Sequence, residues 1–373
     1  STSRGLGDVY KRQVIDNMSM GGAQSLLVEM LPVQKQMGNE VLVLELKASE
    51  DRTLADKLQK SGIEVRALAT IRTERSIKNI FELIPYIKQY EIVHVHLFPA
   101  NYWVAFAKIL SFSNTPIITT EHSTNNKRRK ILIFKYIDKF IYSQYEEIVA
   151  CADKALETFN NRYKGLKCIS IPNGVDIAKY LEAEPYTKQE LLGIGKDTFV
   201  TTMVARFYYP KRQDTLIEAI ALLPKHHHAV FVGGGATDEK LQEKMTLAEK
   251  MGVRDRVHFL YIRSDVPRIL KSSDAVLMSS EYEGLSLSSI EGMACGRPFI
   301  ATNVNGLREV VGGAGVLFEC GNAMELADIL QRLDSNKEYY NAITNSCLKR
   351  ASEYDIHKVA EKYQQEYMKI AKK

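Results

Sequence analysis

Cysteine is sparse in this chain. Five residues, at 151, 168, 295, 320 and 347, stand among 373 and never approach a C-x-x-C spacing. That excludes the common zinc frameworks and suits a reducing cytoplasm better than a disulfide scaffold. No run of eighteen apolar residues occurs, so no segment reads as a membrane span. The first residues, STSRGLGDVYKRQ, lack the apolar core and small-residue cleavage site of a secretory leader. Excess charge is slight: 50 Lys and Arg against 45 Asp and Glu leave +5. Nucleic acid asks for denser basic patches and is not an expected partner. There is no D-x-D pair to hold a metal, no Ser-His-Asp or Cys-His arrangement for covalent catalysis, and no low-complexity tract or short repeat. No metal and no cofactor are expected.

What is present reads as two domains, each large enough to bury a core. Short β-branched runs alternate with longer helical patterns such as 23–37 and 77–89, the mark of βα units and parallel sheets. The first half offers strands at 41–45, 63–68, 92–96, 117–120, 147–151 and 168–171, and the second at 199–205, 229–233, 256–260, 274–278 and 299–302. The polar stretch 172–197, which opens on Pro-Asn-Gly, reads as the linker. The expected fold class is α/β: two doubly wound, Rossmann-like parallel sheets facing across a cleft, with ligands at the carboxyl ends of the strands. The expected domains are 1–172, joined by a C-terminal amphipathic helix at 355–373, and 173–354. The opening is anomalous. Ahead of Gly21-Gly22 the one adjacent aliphatic pair is Val14-Ile15, so residues 1–12 look foreign to the fold, or else form a natural disordered N-terminus.

The most informative segment is SSEYEGLSLSSIEGMACGRPFIATNVNGLREVV, residues 279–311. A strand there meets a loop with Glu283-Gly284, then a helix beginning near Ser286, with Glu291 eight positions after Glu283. Helix N-termini present unpaired N–H groups and partial positive charge, a ready site for a diphosphate. Gly284 permits close approach, Glu283 can meet sugar hydroxyls, and Glu291 can hold a ribose diol. A plain capped helix with a solvated Glu291 fits the spacing equally well. In MVARFYYPKRQD, residues 203–214, Arg206 and Lys211 follow a strand, where two cations can neutralise a leaving diphosphate without metal. Two ordinary surface cations would look the same. Gly233-Gly234-Gly235 forms a tight turn after a strand or a backbone a ligand can approach.

Together these pieces resemble glycosyltransferase family 4, the retaining family of GT-B fold. The resemblance spans roughly residues 14–370 and includes GGAQ at 21–24, TTEH at 119–122, IPNGVD at 171–176, RSDVP at 263–267 and the two glutamates spaced E-x7-E. It implies that Arg206 and Lys211 bind the donor diphosphate, that Glu283 contacts the transferred sugar beside the N–H groups of Leu285 and Ser286, and that Glu291 holds the ribose. It further implies that Tyr261, Ile262 and Arg263 line the base pocket, that Gly234 contacts the donor, that Gly21 and Gly22 close over it, and that His122 lies by the reacting sugar. Tyr261 departs from the glycine common in the family. The implied activity is retaining, metal-independent transfer of a hexosyl or N-acetylhexosaminyl group from a UDP-sugar to a lipid-linked or polysaccharide acceptor in bacterial cell-surface polysaccharide synthesis. A nucleotide-sugar epimerase of the same architecture and a non-catalytic nucleotide-sugar binder are the alternatives.

Three weaker signals remain. His226-His227-His228 suggests a metal cluster, but with no other ligand near it in sequence it reads as an exposed turn. His94 and His96 point to one side of a strand, and His96 with Asn101 is either an acceptor-side group or a satisfied core histidine. In 127–142, KRRKILIFKYIDKFIY, the residues Ile133, Ile137, Phe140 and Ile141 share a helical face beside dense positive charge. That is either a helix packed on its sheet or a peripheral contact with the anionic cytoplasmic face of a membrane.

Overall fold

Uninterrupted β-branched runs separated by helices leave a strand no way to pair except in parallel, because each crossover carries the chain back to the same end. The computed structural model describes residues 10–19, 21–122, 131–234, 238–283 and 286–371. They divide into two compact units, Ser1–Gly174 with Ile356–Lys373, and Val175–Asp355.

The first unit holds β1 (Tyr10–Ile15), β2 (Glu40–Glu45), β3 (Glu64–Ala67), β4 (Ile92–His96), β5 (Ile117–Glu121), β6 (Glu147–Ala150) and β7 (Ile169–Ser170), in the order β3-β2-β1-β4-β5-β6-β7. The second holds β8 (Phe199–Val204), β9 (His227–Val232), β10 (Val257–Phe259), β11 (Ala275–Met278), β12 (Phe299–Thr302) and β13 (Val316–Phe318), in the order β10-β9-β8-β11-β12-β13. Both central pairings, β1 with β4 and β8 with β11, are parallel. Helices flank each sheet, so an interior strand such as β11 is apolar throughout rather than alternating. Val43 of β2 feeds one core of the first unit, while its neighbours Leu42 and Leu44 feed the other. Each such aliphatic side chain stabilises the fold by about 2 kcal/mol on burial.

The helix Ile356–Ala371 closes the first unit. Ile356, Val359, Ala360, Tyr363, Tyr367 and Ile370 fall at helical spacing and pack with Leu26, Leu27 and Met30 of the helix Gly22–Gln36. Within residues 172–197 the structure differs from a loose linker. The short helices Ile177–Leu181 and Lys188–Leu192 form there, Ile177 and Tyr180 are buried, and the segment belongs to the second unit's core.

The expectation that residues up to 12 stand apart from the fold also fails in part. Residues 1–9 lie outside the described set, but Tyr10–Arg12 open β1, an interior strand of the sheet. Main-chain pairing with β2 and β4 on both sides holds them there, although Lys11, Arg12 and Gln13 are unsuited to an interior strand and all are fully buried. Lys11 Nζ donates to Asn39 Oδ1 and Gln364 Oε1 and lies over the Tyr367 ring. The Arg12 guanidinium is stacked on Tyr86 and Tyr90, yet its Nε and Nη1 have no hydrogen-bond partner.

Burial pushes the Lys11 ammonium down from 10.5 to about 7. A lysine with a depressed folded pKa destabilises the fold fully below that value, and the cost fades as pH rises toward the unfolded value. Lys11→Met is therefore expected to raise Tm, and to raise it more at about pH 6 than at about pH 9. Thermal melts at both pH values check this; an unchanged or lower Tm at the acidic one would show that the buried ammonium is fully compensated.

Candidate active site

In each sheet the strand order reverses direction once, between β1 and β4 and between β8 and β11. At such a switch point the loops after the two central strands splay apart and leave a crevice at the carboxyl edge.

In the second unit the β8 loop carries Arg206 and Lys211. Phe207 anchors it, with its ring buried against Phe231 and Phe259. Phe207 N donates to Gly234 O at 2.9 Å, and Gln213 Nε2 donates to Arg206 O at 2.8 Å. The neighbouring β9 loop can come this close only because residue 233 is glycine. Its φ is +148°, and a Cβ there would stand 2.1 Å from Ala205 O. The β11 loop is laced to the same turn. Ser279 Oγ donates to the carbonyls of Lys211 and Arg212 at 3.1 and 2.8 Å, and Glu281 N donates to Pro210 O at 2.9 Å.

Across the β8/β11 crevice the Lys211 ammonium donates to Glu283 Oε1, which also accepts from Ser280 Oγ at 2.7 Å. Both charged side chains are mostly buried, 16% and 13% exposed, so their attraction is weakly screened. The structure thus joins two residues that are 72 positions apart in the chain. Arg206 lies exposed at the same loop. The helix Leu287–Ala294 follows, with Ser286 as its N-cap in extended conformation and no side-chain cap bond, so its first-turn N–H groups are not used by a cap. Glu291 lies half-buried on its second turn. Gly235, Gly284 and Leu285 lie outside the described residues.

Ile262 projects beside Gly234, where a Cβ would meet Ile262 Cδ1 at 2.8 Å. Arg263 grips Asp265 with two hydrogen bonds of 2.8 and 2.6 Å, and Tyr186 OH donates to the same carboxylate. These bonds hold the Asp265 carboxyl well below the usual range. Tyr261 has φ +54° and its carbonyl accepts from Gly233 N at 2.8 Å. A left-handed backbone there explains why glycine suits the position; tyrosine adopts it at a cost of roughly 1–2 kcal/mol.

In the first unit, Gly21 is the extended N-cap and Gly22 the first residue of the helix Gly22–Gln36, directly after β1. His96 ends β4 and is fully buried; Asn101, near the start of the helix Ala100–Leu110, is buried as well. His96 Nε2 donates to Gln13 Oε1 at 2.8 Å, which leaves its Nδ1 to accept from His122 Nε2 at 3.1 Å. The series ends at His122 Nδ1, a lone pair with no hydrogen-bond partner. Burial pushes His122 down to about 4, so the imidazole is neutral near pH 7. His94 is held separately by Tyr367 OH at 2.6 Å and Thr120 Oγ1 at 2.7 Å.

Asp16 escaped the sequence reading. It follows β1 directly, and burial, reinforced by Glu74 and Glu45, pushes its carboxyl up to about 6. The signal for it was an acid placed between an apolar pair and Gly21-Gly22.

This geometry accords with the comparisons. Residues 20–179 match the Glycosyltransferase Family 4 model, and residues 187–350 match Glycosyl transferases group 1. The chain belongs to the glycosyltransferases of GT-B fold, with a family 4 domain followed by a group 1 domain. It is 26% identical to the UDP-Gal:alpha-D-GlcNAc-diphosphoundecaprenol alpha-1,3-galactosyltransferase of Escherichia coli, over 83% of this chain and 84% of that protein. To the putative glycosyltransferase EpsD of Bacillus subtilis it is 27% identical, over 80% and 81%. Among solved structures, Anabaena Alr3699/HepE in complex with UDP superposes with a TM-score of 0.82 at 20% identity, covering 96% of this chain and 99% of that one.

Proposed function

We propose that this protein transfers a hexosyl or N-acetylhexosaminyl group, with retention of anomeric configuration and without a metal, from a UDP-sugar to a lipid-linked or polysaccharide acceptor. The observation that carries the reading is the pairing of Lys211 with Glu283 at the β8/β11 crevice, beside Arg206 and the uncapped helix end at Ser286. The names of relatives support the finer terms: the E. coli protein is named for UDP-galactose and a diphosphoundecaprenol acceptor, and the Anabaena protein has been solved with UDP and UDP-glucose.

Charge dictates the roles. A donor diphosphate draws Lys211 away from Glu283 and, with Arg206, neutralises the negative charge that grows as the sugar departs. Glu283 is thereby released to accept hydrogen bonds from sugar hydroxyls, and Glu291 takes the ribose diol. Ile262 and Arg263, with Gly234, border the base. From the first unit, Gly21 and Gly22 give the donor close backbone approach, and the neutral His122 accepts a hydrogen bond from a sugar hydroxyl at Nδ1. Asn101 and His96 belong to the acceptor side, with His96 acting through His122. The acceptor oxygen bonds to the anomeric carbon on the face the diphosphate leaves, and the departing phosphate oxygen takes the acceptor proton. Positioning and charge stabilisation then supply the catalysis.

Transfer is expected to continue unchanged in excess EDTA, and proton NMR of the product should show the donor's anomeric configuration. Loss of turnover restored by Mn2+, or an inverted anomer, overturns this mechanism.

Membrane contact belongs to the same reading. No described helix is long and apolar enough to cross a membrane. On the helix Leu132–Tyr142, Ile141 turns inward and is buried, unlike the other members of its expected face: Ile133 and Phe140 are 63% and 53% exposed, with Tyr136 beside them at 68%. Lys135 and Lys139 flank this apolar stripe, a pattern complementary to an anionic lipid surface. Residues 127–130 lie outside the described set. Replacing Lys127, Arg128, Arg129 and Lys130 by Gln is expected to abolish co-sedimentation with phosphatidylglycerol vesicles, at about 1 kcal/mol per cation. Equal sedimentation of parent and variant, or none by either, refutes the contact.

A further inference from the structure

At the amino edge of the second sheet, two histidines and an aspartate converge. The sequence suggested an exposed turn at 226–228 with no further ligand nearby, but His227 and His228 instead begin β9, and His227 is only 1% exposed. The long-range partner is Asp334, the penultimate residue of the helix Ala323–Ser335. His226 Nε2 lies 2.8 Å from Asp334 Oδ2, and His227 Nε2 lies 3.3 Å from the same oxygen. The three ligand atoms all fall within 4.8 Å of one another.

An ion bound tetrahedrally through nitrogen and oxygen at about 2.0–2.1 Å holds its ligand atoms roughly 3.3–3.4 Å apart. His226 and Asp334 both lie on the surface, where their side chains can turn toward that arrangement. A second observation points to a missing partner. Neither ring nitrogen of the buried His227 has a hydrogen-bond partner, since its contact with Asp334 lacks hydrogen-bond geometry. A buried imidazole normally satisfies at least one nitrogen. The nearby Arg256 opposes a cation, but its Nη1 is committed to the carbonyls of Leu223, Pro224 and His227, and the Asp334 carboxylate offsets its charge.

We propose that His226, His227 and Asp334 form a site for a late first-row divalent cation, Zn2+ foremost, that ties the helix Ala323–Ser335 to the amino end of β9. Two imidazoles and one carboxylate suit that class over Mg2+ or Ca2+, which take oxygen ligands. The fourth position opens to solvent and takes water. Strand β9 puts this site about 17 Å from the carboxyl-edge loops that hold the candidate active site, so its role is structural and separate from sugar transfer.

The test is calorimetric titration of Zn2+, and in parallel Mg2+, into the untagged, chelator-treated full chain, with thermal melts in the same buffers. One Zn2+ per chain is expected, with a rise in Tm and no comparable response to Mg2+. His226→Ala and Asp334→Asn are both surface changes and should each weaken Zn2+ binding by roughly tenfold or more, the scale of losing support to a metal site. Both should also remove the Tm rise. No saturable Zn2+ binding by the parent overturns the proposal, as does equal affinity for Mg2+ or undiminished binding in both variants. Chelator that lowers Tm while turnover stays constant separates this site from the transfer mechanism.

Discussion

A diphosphate leaving group carries charge that must be neutralised as it forms, and a parallel sheet wound in both directions supplies one crevice in which to do it. In the second unit the crevice lies between β8 and β11, and the Lys211–Glu283 contact crosses it. The surrounding features serve that contact. Phe207 buries its ring to fix the β8 loop, Gly233 lets the β9 loop close to within hydrogen-bond distance, and Ser279 ties the β11 loop to the carbonyls of Lys211 and Arg212. An ammonium paired with a carboxylate costs less to bury than either alone, so pairing lets both groups stay largely buried at the crevice.

The first unit solves a different problem with uncharged groups. Burial depresses three of its histidines, His94 to about 3, His122 to about 4 and His96 as well. They act as oriented hydrogen-bonding groups rather than as charges, and Gln13 and His96 set which nitrogen of His122 carries the free lone pair. Asp16, pushed up to about 6 at the end of β1, is the acid there whose protonation changes near neutral pH.

Much of this was legible in the sequence because local pattern and tertiary role coincide. Continuous apolar runs such as 229–232 and 275–278 became interior strands, since burial on both faces leaves no room for alternation. Arg206 and Lys211 fell in the loop after β8 and Glu283 in the loop after β11, with Glu291 on the helix that follows. Where pattern and role diverge, the reading failed. Tyr10–Gln13 is polar yet forms the first four of the six residues of an interior strand, because neighbouring backbones on both sides impose it. Val316–Phe318 is only three residues long and extends the sheet at its edge, too short to register as a run. Asp334 lies 108 residues from His226, and no local spacing announces such a partner. Tyr261 breaks the glycine preference of its position, and only the positive φ shows why that preference exists.

The central claim is that protein cations, rather than a metal, carry the leaving diphosphate. The most direct measurement is kcat of Lys211→Ala in EDTA, with its melting profile confirming that the variant is folded. The account predicts a fall of about a hundredfold or more, the scale on which removal of a preorganised charge-stabilising group acts. Turnover within a few-fold of the parent would contradict it and place the neutralising charge elsewhere.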